Sequence, residues 1–68
     1  MKLGNKRSNI AIGDLVEIIQ KQDQRSGELT EGIVKKFLTK SPSHPHGIKV
    51  MLTDGTVGRV KNVIEEDE

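Results

Sequence analysis

The sequence predicts a small all-β domain, a barrel of four to five antiparallel strands with one short 3₁₀ turn, and three observations carry that expectation. Apolar and polar side chains alternate over 48–52, so Ile48, Val50 and Leu52 share one face while Lys49, Met51 and Thr53 share the other. Asp54-Gly55 follows, a two-residue turn signal ahead of a second run rich in Val, and such a pairing marks a tight hairpin. The remaining apolar residues are concentrated in short β-branched runs rather than diluted along the chain, which argues against disorder.

In chain order, residues 1–9 carry Lys2, Lys6 and Arg7 among Gly and Asn with no period of 2 or 3.6, and read as a flexible basic arm. The plain reading is a solvated terminus; the sharper one is an arm that touches phosphates. Gly13-Asp14 is a turn signal before the β-branched run 15–20, where Val16 and Ile18 share one face and Leu15, Glu17 and Ile19 the other. Leu15, Ile18 and Ile19 also fit helical spacing, but the short run and its β-branched content decide for a strand. Residues 21–28 are polar throughout and contain Ser26-Gly27, so they form a long, mobile loop. A second strand spans 29–39. Gly32 inside it signals a bulge or a close backbone approach, and Lys35-Lys36 sends at least one ammonium to water. Pro42 and Pro45 then hold Ser41 and His44 extended and remove two ladder donors, making 40–47 a stiff exposed connection. After the hairpin, Val60, Val63 and Ile64 stand at i, i+3 and i+4, which predicts one tight helical turn before a last short strand. Glu65, Glu66, Asp67 and Glu68 close the chain as an acidic tail kept extended by its own repulsion. The expected organisation is an arm at 1–9, a barrel at 10–64 and a tail at 65–68.

With 68 residues the chain holds one domain, and a domain of this size buries only about 60% of the surface its unfolded chain exposes. The absence of Cys excludes disulfides, thiolate metal sites and a Cys nucleophile. No stretch approaches the apolar length of a membrane span, and no apolar core of a signal peptide follows the N-terminal charges. A cytoplasmic, monomeric protein without membrane contact or cofactor is the expectation. The formal net charge of +1 conceals an asymmetry: without 65–68, eleven Lys and Arg face six Asp and Glu, so the body carries +5.

Two resemblances go further. Residues 54–63 resemble the end of an SH3-like barrel, and 12–18 resemble the opening strand of such barrels and of the KOW-type barrels of ribosomal and transcription proteins. Over most of the chain, Arg7-Ser8-Asn9-Ile10, the run 21–32, Ser43-His44-Pro45-His46-Gly47-Ile48-Lys49-Val50 and Asp54-Gly55-Thr56-Val57-Gly58-Arg59-Val60 resemble the YwbE-like family of short uncharacterised bacterial proteins. That resemblance implies a family without an established activity, and no site residues to carry over.

His44 and His46 stand at i and i+2 on a segment stiffened by Pro45, but zinc needs three or four ligands and no Cys is present to complete the set. The plain reading is a rigid loop whose imidazoles bond to backbone or cap the barrel end, so no metal is expected. Ser8, Ser26, Ser41 and Ser43 lack a Gly-x-Ser-x-Gly elbow, no Gly-rich phosphate loop is present, and the carboxylate pairs Asp14 with Glu17 and Asp23 with Glu28 lie in solvated segments. No enzyme is expected. The functional expectation is a binding module making weak, sequence-indifferent contact with RNA or a ribonucleoprotein through Lys35, Lys36, Lys40, Lys49, Arg59 and Lys61, with Lys21 and Arg25 nearby. Two observations weigh against it: only Phe37 could stack a base, so a single-strand stacking platform is absent, and Glu17, Glu28, Glu31 and Asp54 are interspersed among the cations as on an ordinary solvated surface. The alternative is a protein-interaction module using a strand edge or an apolar patch at Ile33 and Met51. The Pro-rich-peptide groove of SH3 domains is excluded, because it needs the aromatic lining that this chain lacks.

Overall fold

The computed structural model describes residues 2–64; the acidic run 65–68 lies outside the described residues. Five strands form one antiparallel sheet: β1 Lys2–Leu3, β2 Leu15–Ile19, β3 Thr30–Phe37, β4 Lys49–Leu52 and β5 Val57–Val63. The spatial order is β1-β5-β2-β3-β4, and a further β4–β5 pairing closes β2, β3, β4 and β5 into a barrel. The interior is aliphatic. Ile10, Val16, Ile18, Val34, Ile48, Val50, Leu52, Val60 and Val63 are each at most 6% exposed, and Phe37 packs against them. The alternation expected of 15–19 and 48–52 therefore holds, with Val16 and Ile18 on one wall and Ile48, Val50 and Leu52 on another. Gly32 is a close approach, as expected: a Cβ there would lie 2.5 Å from Leu52 Cδ1.

The hairpin reverses differently from the two-residue turn that Asp54-Gly55 suggested. The Gly55 N–H donates to the Leu52 carbonyl at 2.9 Å and the Leu52 N–H to the Thr56 carbonyl at 2.8 Å, which encloses a loop of Thr53, Asp54 and Gly55. Only Gly55 within it has positive φ (+90°), whereas the type I′ turn of a two-residue loop would also need positive φ at Asp54. The Thr56 N–H bonds to Asp54 Oδ1 at 3.0 Å, and that bond holds the Asp54 carboxyl below its ordinary range.

The helical turn expected at the chain's end is not there. Val57–Val63 is one strand, and the 3₁₀ turns fall instead at Arg7–Asn9 and Lys21–Asp23. The i, i+3 spacing has another cause. Ile18 pairs with Val60 and Glu17 with Asn62, so Lys61 is the extra residue of a β-bulge, and both Val60 and Val63 turn inward. β3 repeats the device: Val34 pairs with Leu52 and Lys36 with Met51, leaving Lys35 extra, so both lysines reach water between inward Val34 and Phe37.

Residues 2–9, expected as an arm apart from the domain, lie against it. β1 pairs with β5 through Lys2↔Val63 and Leu3↔Asn62, taking up the edge of β5 where β4, paired at 57–59, leaves off. The Gly4 N–H donates to the Lys61 carbonyl at 3.0 Å, and the Gly4 carbonyl accepts from Ile48 at 2.9 Å. Asn5 O accepts the His44 N–H at 2.9 Å, and the Arg7 N–H reaches Pro42 O at 2.9 Å, which aligns 5–7 antiparallel to the proline-bearing loop. The Arg7 guanidinium sits 4.2 Å above the Phe37 ring. Local sequence could not announce this segment, because its partners are more than thirty residues away and its bonds are made by backbone.

Candidate nucleic-acid interface

Register decides which cations meet. Ile48, Val50 and Leu52 fill the core, so Lys49 and Met51 face outward; their partners across β4–β5, Arg59 and Val57, share that outer face. Lys36 joins them opposite Met51. Lys36, Lys49 and Arg59 thus surround the half-buried Met51–Val57 pair on the outer face of β3, β4 and β5. Lys61, the extra residue of the β5 bulge, is exposed but lies past the end of the β4–β5 pairing and does not enter this register. Lys35 is the extra residue of its bulge, and Lys40 sits in the connection after β3; neither enters this register. Lys21 and Arg25 lie in the connection between β2 and β3.

Two of the carboxylates interspersed in sequence meet each other. Glu17 and Glu31 are direct partners across β2–β3, on the outer face of that pair. Like charges in that position repel, and Asn62 Nδ2 donates to Glu17 Oε1 at 3.0 Å, bonding one of the two carboxylates.

Beside the cationic face runs a groove of about 520 Å³. Leu3, Gly4 and Asn5 form one wall, His44, Pro45, His46 and Gly47 another, and Ile19, Gln24, Arg59, Val60 and Lys61 complete it. Arg59 is half-buried and braces the loop, its Nη1 donating to the Gly47 carbonyl at 3.0 Å. The His46 N–H donates to His44 Nδ1 at 3.1 Å, so the ring of His44 bonds to backbone as expected, in the tautomer protonated at Nε2. The two imidazoles lie 5.8 Å apart, tilted by 49°. Desolvation, then the charge of Arg59 and the nearby His46, push the His44 pKa below its ordinary 6.5.

Sequence reasoning picked out His44, His46, Arg59 and Lys61 but not that they share a groove. It missed Asn5 and Gln24, whose place depends on the docking of the N-terminal segment and on the folding of the 3₁₀ turn at 21–23, for which no periodicity is a signal. Phe37, the lone ring that could not by itself make a stacking platform, lies under Arg7 against the core.

Residues 3–63 match the family described as "Uncharacterized conserved protein (DUF2196)". The chain is also similar to the uncharacterized protein YwbE of Bacillus subtilis (strain 168), 51% identical over 61 residues that cover 90% of this chain and 94% of that protein. No solved structure matches. No helix among the described residues is long and apolar enough to cross a membrane. The resemblance read from the His-Pro-His-Gly loop and the hairpin is thereby borne out, and the chain belongs to this family of uncharacterized conserved proteins.

Proposed function

We propose that this barrel is a non-catalytic module that binds RNA, free or in a ribonucleoprotein, through the outer face of β3, β4 and β5, as a monomer in the cytoplasm. The observation that carries the reading is the register Lys36↔Met51, Lys49↔Arg59, while Glu17 and Glu31 oppose each other on β2 and β3. A face with cations on three neighbouring strands neutralises phosphates and releases their counterions, which favours polyanions irrespective of sequence.

The test is an amide-shift titration with a short RNA at two salt concentrations. If four phosphates are contacted, affinity falls roughly fifty-fold between about 50 and 200 mM salt. Shifts should concentrate at Lys36, Lys49 and Arg59, and the double charge reversal Lys36→Glu, Lys49→Glu should remove them. Binding indifferent to salt, or equally strong in the reversed variant, would sink the reading and favour docking of a protein instead. That alternative has less support: the β4–β5 pairing closes the barrel, the two-residue β1 ends the sheet, and Ile33, though 37% exposed, is paired with Leu15.

A further inference from the structure

The groove has a composition unlike the rest of this chain. Six of the described residues are acidic, yet none of these six lines it. Two cations (Arg59, Lys61), two imidazoles (His44, His46) and two carboxamides (Asn5, Gln24) do. Its volume, about 520 Å³, lies within the roughly 300–1,000 Å³ of small-ligand sites. Each group present matches one part of a nucleotide. Arg59 gives one donor to Gly47, and its remaining N–H groups can bind a phosphate, as can the exposed Lys61 ammonium. Imidazole rings stack on unpaired bases, and carboxamides can both donate to and accept from a base edge. The walls are preset, because the Asn5 backbone is bonded to His44 and the His44 ring to the His46 N–H, which limits the ordering cost of binding.

We propose that this groove is a subsite for one unpaired nucleotide, its phosphate held by Arg59 and Lys61 and its base lying against His44 and His46 within reach of Asn5 and Gln24. The inference rests on the RNA-binding reading and deepens it: the ligand class becomes single-stranded RNA with an accessible base, rather than any polyanion. It also replaces the stacking platform that Phe37 cannot supply, and lies directly beside the outer-face cations through Arg59.

The experiment compares AMP with ribose 5-phosphate in amide-shift titrations of the whole chain, alongside the short RNA. AMP should shift Gly4, His46, Gly47 and Lys61, and ribose 5-phosphate should bind at least about five-fold more weakly, the lower end of what one base stack contributes. His46→Ala should abolish that difference between the two ligands, and Lys61→Ala should weaken both. Both side chains are exposed, and retained dispersion of the amide spectrum checks each variant's fold. Equal binding of AMP and ribose 5-phosphate, or AMP shifts confined to the outer face, would overturn the subsite while RNA binding itself persists. Failure of the RNA as well as AMP would overturn both readings together.

Discussion

At the scale of single residues, Gly47 and His44 set the shape of the loop that walls the groove. Gly47 has φ of +105°, and a Cβ there would lie 2.1 Å from the Val60 carbonyl oxygen. Gly47→Ala therefore combines backbone strain with overlap against an immobile backbone atom, and should cost roughly 2–4 kcal/mol in urea unfolding. Gly55→Ala is the internal comparison. Gly55 has φ of +90° with nothing within 4 Å of the added carbon, so strain alone applies, roughly 1–2 kcal/mol. Equal losses at the two sites would refute the close packing at Gly47. His44 makes stability depend on pH with a definite sign. Its folded pKa lies below the ordinary 6.5, so the unfolded chain binds the proton more tightly. The urea midpoint should accordingly be flat above about pH 6.5, set by that ordinary value, and decline as pH falls toward the folded pKa. His44→Gln should remove this part of the decline; an unchanged profile would show that His44 does not couple to folding.

At the scale of elements, two bulges and one short strand decide the outcome. Val34-Lys35-Lys36-Phe37 and Val60-Lys61-Asn62-Val63 share a pattern, an inward residue, two outward polar residues and another inward residue. In one dimension that spacing mimics a helical period, which is why 60–64 read as a turn of helix. A bulge produces it without leaving the sheet, because the extra residue shifts the alternation by one. Each bulge also turns at least one lysine to solvent, so the same device that bends the barrel equips its surface. The N-terminal segment is the second determinant. Truncation of residues 1–7 removes the acceptors Gly4 O and Asn5 O from Ile48 and His44. Amide exchange at those two positions should accelerate roughly five- to ten-fold, the equivalent of one backbone hydrogen bond, while Val16 and Ile18 stay slow. Unaltered protection at 44 and 48 would mean that the loop holds itself.

For the whole molecule, the arrangement of charge matters more than its sum. A formal net charge of +1 predicts little attraction to a polyanion, but register gathers cations on β3, β4 and β5 and pairs Glu17 with Glu31 on β2 and β3. Glu65, Glu66, Asp67 and Glu68, outside the described residues, supply four of the ten acidic side chains. Deleting 65–68 raises the net charge to +5 by the count of the remaining residues, and should tighten RNA binding at low salt. The gain should vanish at high salt, where screening extends over only a few ångströms; unchanged affinity at low salt would remove any role for the tail.

What the sequence determined by itself is everything that depends on near neighbours along the chain. The alternation at 48–52, the β-branched run at 15–19 and the reversal before residue 56 are set by side-chain period and turn chemistry, and these place the strands and most of the core. Register, by contrast, is a relation between strands. Only the tertiary structure decided that Lys36 would face Met51, that Glu17 would meet Glu31, and that the Lys61 bulge would replace a helical turn. The same holds for the groove, whose walls at Leu3–Asn5, His44–Gly47 and Arg59–Lys61 come from three distant stretches of chain. Hydrogen bonds between backbones carry no residue signature, so pairings made that way leave no trace in composition or period.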